Sequence, residues 1–366
     1  MRKSLKIMII IASLIVLLIL SIILFTHQTK FGSIPKGERL ELIKKSPHFK
    51  NGEFQNELPT PMFVNNKGYF AVFKDFLFAK NKPEHKIPSV KTDLLHLDPK
   101  KDILVWFGHA SYFIQIDGKK VLVDPVFSGS VSPVPFMTKA FSGSDAYTTD
   151  DIPEIDYLVI THDHWDHLDY ETVLKLKPKI KKIICGLGVG EHFEYWGFDK
   201  NILIEKDWHE TVSLENGFTA YILPARHFSG RLERNKSLWI SLILKTPTFK
   251  IYFSGDGGYD NHFAEIGKIF GNIDLAILEN GQYNESWKYI HMMPEQTIQA
   301  AKDLNAKHFL PVHSSKFALS IHAWNEPLKR VNDLSKKEHL SIFTPIIGEQ
   351  VNLKDSTQTF SEWWNN

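Results

Sequence analysis

The 366-residue chain has a single cysteine, Cys185. No disulfide can close within it, and a zinc knuckle built on thiolates is excluded. An excess of charge of either sign is also missing. Lys and Arg number 43 against 42 Asp and Glu, a formal net charge of +1. The basic pairs Lys44-Lys45, Lys181-Lys182 and Lys336-Lys337 are scattered rather than gathered into a stripe. They read as solvated surface, and nothing argues for a nucleic-acid partner. There is no short-period repeat, no low-complexity tract and no helical H-x-x-x-H protease motif.

What is present begins at the N-terminus. Arg2, Lys3 and Lys6 make a basic end, and Ile7 to Phe25 then runs without a charge. At ~1.5 Å rise per residue, a helix of that length covers roughly the hydrocarbon thickness of a bilayer. A cleaved signal peptide is the competing reading. Its apolar region is usually about 7–15 residues and ends in small residues. Here the run ends Ser21-Ile22-Ile23-Leu24-Phe25-Thr26-His27, with no A-x-A site. An uncleaved anchor is preferred, with the basic end cytoplasmic and residues 30–366 on the far side.

Residues 26–95 are polar and irregular, rich in Gly and Pro, with an aromatic stretch from Tyr69 to Phe78. They read as a linker and an extension that packs on a main domain. The aromatics Phe70, Phe73, Phe76 and Phe78 suit packing better than a lipid groove. From about residue 100 the texture changes. Ile103–Phe107, Tyr112–Ile116 and Lys120–Val123 read as strands, with Asp117-Gly118 as a hairpin turn. Ile155–Thr161 is a buried strand, Tyr170–Leu176 a helix, and Ile183–Cys185 a strand again, with Cys185 a core thiol. The second half repeats this. Strands are expected at 219–223, 238–244, 249–253, 275–278 and 308–312, and helices at 261–270 and 294–304. Apolar residues are 43% of the chain, enough for two sheets covered by helices, an α/β fold of αββα layering.

Seventeen histidines leave imidazole and carboxylate as the means of holding a metal. The decisive stretch is Thr161-His162-Asp163-His164-Trp165-Asp166-His167-Leu168-Asp169, which follows the buried strand. His162 and His164 can aim at one cation from extended backbone, and Asp166 and His167 then turn toward a second position. The bland alternative is a polar loop with unrelated histidines. Four ligand-type side chains in so short a stretch argue against it. Asp163 and Asp169 flank the motif as either supporting or solvated groups. Gly255-Asp256-Gly257-Gly258 is not a phosphate-cradling loop, because no Lys-Ser/Thr follows.

H-x-H-x-D-H is the signature of the metallo-β-lactamase superfamily, and the chain resembles that family over roughly residues 100–345. The resemblance implies a metallo-β-lactamase sandwich preceded by a transmembrane helix and extension. Its parts would be a basic end at 1–6, an anchor at 7–25, a linker and extension at 26–95, a hydrolase domain at 96–350 and a tail at 351–366. It also implies the remaining ligands at later strand ends. His227 follows Leu223-Pro224-Ala225-Arg226, Asp256 sits among glycines, and His313 ends Phe309-Leu310-Pro311-Val312. By resemblance His162, His164 and His227 hold one zinc. Asp166, His167 and His313 hold the second, and Asp256 bridges them. Two Zn²⁺ are implied, although iron and manganese accept similar ligands.

Within the family, the chain is similar to the N-acylphosphatidylethanolamine-hydrolysing phospholipase D branch. Trp106-Phe107-Gly108-His109-Ala110, Asp124-Pro125, Asn280-Gly281-Gln282-Tyr283 and His291-Met292-Met293-Pro294 carry that likeness. It implies hydrolysis of a phosphodiester, with Asp166 and His291 in catalytic roles. Metals about 3.5–4 Å apart would acidify a shared water in such a site. His109 and Asp124 are expected behind the ligands, fixing their imidazoles. The implied partners are a membrane phospholipid substrate and the bilayer itself. Two alternatives remain open: a lactonase or other small-ester or amide hydrolase of the same fold, and a metal-binding module without catalysis. His192, His209 and His262 receive no role.

Overall fold

The computed structural model describes residues 2–64 and 69–365. Its hairpin at Asp117-Gly118 follows directly from residue type. Both residues take left-handed backbone, with φ of 45° and 76°, and Ile116 pairs with Lys119 across them. The right-handed twist of the flanking strands calls for such a turn, and Asp-Gly supplies it at low steric cost.

Among the described residues, fifteen strands are arranged in one hairpin and two sheets. β1 (Phe49–Lys50) and β2 (Glu53–Phe54) form the hairpin in the N-terminal extension. The first sheet contains β3 (Ile103–Trp106), β4 (Tyr112–Ile116), β5 (Lys119–Val123), β6 (Ile155–Ile160), β7 (Ile180–Gly186) and β8 (Leu203–Lys206). The second contains β9 (Thr211–Ser213), β10 (Thr219–Leu223), β11 (Ser241–Lys245), β12 (Lys250–Phe253), β13 (Ile273–Glu279) and β14 (Ala306–Val312). β15 (Gln350–Asn352) closes the first sheet antiparallel to β3. The orders are β15-β3-β4-β5-β6-β7-β8 and β14-β13-β12-β11-β10-β9.

Helices α1 (Arg2–Thr26), α2 (Gly37–Ile43) and α3 (Tyr69–Phe78) precede the first sheet. Side-chain alternation builds the layers. Leu104, Trp106 and Ile114 face Leu242, Leu244 and Phe253 across the space between the sheets. Val105, Phe113 and Leu158 turn the other way, onto α4 (Tyr170–Leu176) and α5 (Gly190–Tyr195). Ile243, Tyr252 and Ala276 likewise meet α6 (His262–Phe270), α7 (Pro294–Asp303) and α8 (Glu326–Lys337). Strands buried on both faces read as continuous apolar runs, which is why β6 and β13 stand out in the sequence. The expected αββα sandwich is present.

The departures have physical causes. A strand was expected over 238–244, but β11 begins at Ser241. The preceding backbone is spent elsewhere: Leu238 N–H donates to Leu187 O and Ile240 N–H to Thr161 O, at 2.8 and 2.9 Å. Those bonds tie the second sheet to the first and take the Leu238 and Ile240 donors away from β10. Residues Tyr69–Phe78 form a helix. Phe76 and Phe78 on it are exposed rather than packed, and the side chains of Phe70 and Phe73 lie outside the described set. Upstream, an N-terminal helix spans Arg2–Thr26, long and apolar enough to cross a membrane, with none of its apolar window buried. Cys185 is buried and free.

The last residues join the core. Trp363 and Trp364 are both buried in the cluster between the sheets, and Trp363 lies 6.4 Å from Trp106, ring centroid to centroid. Trp363→Ala removes a large buried side chain and is expected to cost about 3–5 kcal/mol. Denaturant unfolding measures this, and a loss below about 1 kcal/mol would mean that the C-terminus contributes little to the core.

Candidate metal centre

Strands β5, β6, β12, β13 and β14 all end on one edge of the sandwich, and the converging side chains stand at or just after their last residues. Asp124 comes directly after β5, held at φ 42°. Its carboxylate accepts from the Thr161 N–H at 2.9 Å, the Thr161 hydroxyl at 2.6 Å and His167 Nδ1 at 2.8 Å. With Nδ1–H engaged, His167 turns Nε2 toward the centre.

His162, His164 and His227 converge. His164 Nδ1 lies 2.8 Å from His162 Nε2 and 3.3 Å from His227 Nε2. Nitrogens ligating one tetrahedral ion at ~2.0–2.1 Å would stand about 3.3 Å apart. A second group surrounds Asp166. Its Oδ2 lies 2.9 Å from His109 Nε2, 3.3 Å from His313 Nε2 and 3.5 Å from His167 Nε2. Asp256 faces both groups, with Oδ2 at 3.0 Å from His313 Nε2, 3.1 Å from His167 Nε2 and 3.9 Å from His227 Nε2.

The donor set fits a metal on one telling observation. His167 Nε2 is buried without a hydrogen-bond partner, although two carboxylate oxygens lie within 3.5 Å. The nitrogen stands close to both oxygens yet is hydrogen-bonded to neither. A cation shared among them would satisfy the buried nitrogen, which is otherwise left unpaired.

Electrostatics sort the imidazoles. Burial lowers His162 and His227 well below the ordinary histidine value and takes His164 to about 4, so each is held in the neutral form that ligates. Burial also opposes charge on His167 and His313, but the carboxylates around them outweigh it and raise both. Asp166 and Asp256 are buried, which alone would raise them. The neighbouring imidazoles, His167 foremost, depress both well below the ordinary carboxylate value. Burial and the adjacent His313 push His109 down to about 3.

Above the centre is a cavity of about 270 Å³. His164, Asp166, Asp256 and His291 supply its polar floor, and Met62, Phe63, Phe228, Trp287, Ile290 and Leu319 its apolar walls. His291 is not a stray surface residue. Its Nδ1 is hydrogen-bonded to Glu279, and its ring lies 5.2 Å from that of His227.

Glu279 was not singled out in the sequence. It is fully buried, accepts from Gly257 N–H at 2.8 Å and lies 3.4 Å from His313 Nδ1. Its signal was an acidic residue closing the apolar run Leu275–Leu278. Asn56 was also missed. It brackets the His227 backbone, donating to His227 O at 2.7 Å and accepting from His227 N–H at 3.1 Å. Asp163 and Asp169 are both buried. Asp163 accepts from Ser237, Gly230 and His192, and Asp169 caps α4 through Glu171 N–H. His209 is exposed, whereas His262 is buried. Neither belongs to the converging groups among the described residues.

Facing sheets wrapped by helices, with His and Asp converging at the strand ends, define a metal-dependent hydrolase class. Comparison with known proteins agrees. The β-lactamase superfamily domain model matches residues 119–314. The chain is 33% identical over 329 residues to an uncharacterised protein of Mycobacterium tuberculosis, covering 88% of each. It is 29% identical over 313 residues to N-acyl-phosphatidylethanolamine-hydrolyzing phospholipase D 1 of Caenorhabditis elegans, covering 78% of this chain and 87% of that one. Among solved structures, Igni18, a metallo hydrolase from Ignicoccus hospitalis, superposes with a TM-score of 0.54 at 20% identity, over 69% of this chain and 98% of that one. The chain belongs to the metallo-β-lactamase superfamily, and its His/Asp groups are candidate metal-binding groups.

Fresh protein is therefore expected to carry divalent metal, and chelation should lower its melting temperature, because the converging donors lose what they bind. Elemental analysis and a thermal melt check this. Metal-free protein whose melt does not respond to added zinc would refute the reading of the cluster.

Proposed function

We propose that the chain is a dinuclear zinc phosphodiesterase, acting in phospholipase D fashion on N-acylphosphatidylethanolamine or a related phospholipid. The observation that carries this reading is the apolar-walled cavity directly above the His/Asp centre. The similarity to the Caenorhabditis elegans enzyme and the apolar N-terminal helix support it. His162, His164 and His227 would hold one ion, Asp166, His167 and His313 the other, with Asp256 shared. Bound there, the pair would acidify a water and offset the charge that develops on phosphorus.

The chain's own residues do the rest. Asp166 keeps its carboxylate at the cavity floor through His109. His291 faces the cavity with Nδ1 on Glu279, so that the doubly protonated ring can give its Nε2 proton to the departing alcohol oxygen and recover one from the attacking water. Phe228, Trp287 and Ile290 keep bulk water off the reacting bond, which strengthens every charge interaction beside it. Water adds to phosphorus, the alcohol leaves with the proton, and a phosphomonoester remains. Arg2, Lys3 and Lys6 stay cytoplasmic, with the hydrolase domain outside. One feature favours a second reading, a lactone or other small ester or amide as substrate: a cavity of about 270 Å³ is at the small end for ligand sites.

Full-length chain offered a phospholipid, a lactone and a β-lactam in parallel decides between them. Activity on the lactone with none on any phosphodiester would replace the first reading with the second. Asp256→Ala is expected to abolish turnover and reduce bound metal. His291→Ala should retain metal and lose about 10²–10⁴-fold in rate. Glu279→Gln should lower kcat in the same direction by less. A His291→Ala protein with full metal and an unchanged rate would remove His291 from the chemistry. For the orientation, protease added to intact cells should digest the chain beyond about residue 30. Complete protection, where a known external domain is cut, would reverse the topology.

A further inference from the structure

The chain leaving the N-terminal helix does not trail as a free linker. Phe25, in the last turn of that helix, meets Phe31 edge to face at 5.3 Å, and Phe31 meets Trp165 at 5.1 Å. Trp165 lies between His164 and Asp166 in the reactive loop. The Arg231 guanidinium sits 3.7 Å from the Trp165 ring centroid and donates to Leu168 O at 2.7 Å. The same guanidinium donates to Lys30 O at 2.9 Å, joining the post-helix segment to the loop. Trp196 Nε1 donates to Thr29 O at 2.8 Å, and Lys30 Nζ to Pro133 O at 2.5 Å. Ser33 N–H donates to His192 Nδ1 at 3.2 Å. Gly32 takes φ 77°, and a Cβ there would come within 2.0 Å of that same His192 nitrogen. Only glycine fits so close an approach.

Around this clamp several large apolar side chains are open to solvent. Phe136 is 77% exposed and Met137 52%, in the loop that Lys30 grips at Pro133. Leu232, beside Arg231, is 51% exposed, and Ile34 is 40% exposed. We infer that Thr29–Ser33 is a rigid clamp between anchor and reactive loop, and that Phe136, Met137, Leu232 and Ile34 seat this edge of the domain on the leaflet from which the anchor emerges.

Chain length supports the leaflet as occupant. The helix ends at Thr26, and Phe31 is already fixed on the reactive loop. Even fully extended, the chain between them spans at most about 18 Å, at ~3.3–3.6 Å per residue. The Phe25–Phe31 contact makes the separation shorter still. The polar layer of a leaflet is roughly 5–8 Å deep. Apolar side chains adjoining Phe31 therefore fall at the boundary between headgroups and acyl chains, where such residues gain from burial. The tether thus sets orientation as well as location. The inference rests on the helix being retained as an anchor, and it is independent of which bond is cleaved.

Spin-label accessibility on the full chain in proteoliposomes tests it. Cys185 is buried, so Met137→Cys can be labelled alone. Ile269→Cys, at a site 72% exposed in the last turn of α6, beside the start of β12, is the aqueous reference. The label at 137 is expected to be several-fold less accessible to a nickel chelate than the label at 269, and more accessible to oxygen. Equal nickel access at the two sites would overturn the inference. So would low access at 137 that varies with protein-to-lipid ratio, since that marks contact between copies. A flexible Gly-Ser insert after Thr26, which leaves the domain untouched, should raise nickel access at 137 toward the reference. No change would show that the clamp does not set the seat. Intact mass separates the two ways of failing. A chain that has lost its first helix defeats the anchor reading and this inference together, whereas a full-length chain with an aqueous label defeats this inference alone.

Discussion

Asp256 brings one carboxylate oxygen to 3.0 Å from His313 Nε2 and 3.1 Å from His167 Nε2, in a place largely shielded from bulk water. Taking such a carboxylate out of water costs several kcal/mol unless opposite charge replaces the lost hydration. Imidazoles supply part of that replacement, and the raised His167 and His313 show them responding to the carboxylates. But the five imidazoles of the centre cannot all be protonated together. His162, His164 and His227 face one another too closely for shared positive charge, and burial holds them neutral. Neutral nitrogens and anionic oxygens around a common point are complemented by a small divalent cation far better than by protons. The rest of the architecture follows from holding these groups so close together.

The cost of holding them is visible in the backbone. His109, Asp124 and His313 all have positive φ, at 53°, 42° and 70°. Non-glycine residues avoid that region unless the surrounding structure insists. Here it insists through bonds that cross between sheets. His109 N–H donates to Ser314 O, and His313 N–H donates back to His109 O. One loop from the first sheet and one from the second are thereby locked together beneath the centre. Gly281 has no space for a side chain, because a Cβ would come within 2.0 Å of His313 O.

Legibility in the sequence followed contiguity. The loop from His162 to His167 could be read because its ligand-type residues are neighbours after an apolar strand. His227, Asp256 and His313 could be read because each closes an apolar run, and the family pattern says what such closings hold. Asn56 offered no such signal. It reaches His227 across a sequence separation of 171 residues, from a segment that looks like linker. Glu279 sits at a strand end like the others, but its partners Gly257 and His291 come together only in the fold. The same reason applies to the start of β11 and to Trp363. Their state is decided by hydrogen bonds and packing to distant elements, which local periodicity does not register.

The reactive loop also explains why residues between the ligands are not interchangeable spacers. In extended backbone successive side chains point opposite ways. His162 and His164 turn toward the centre, so Asp163 between them turns away from it, and Trp165 lies in the turn that His167 N–H closes on His164 O at 3.1 Å. Asp163 is taken up by Ser237, Gly230 and His192, and Trp165 by Arg231 and Phe31. His192 in turn binds Ser33, and Arg231 binds Lys30. One face of the loop is therefore committed to the metal-binding groups and the other to the segment that follows the N-terminal helix. A change at Trp165 or Asp163 acts on both at once, because the backbone that aims His164 also carries the side chains that bind that segment.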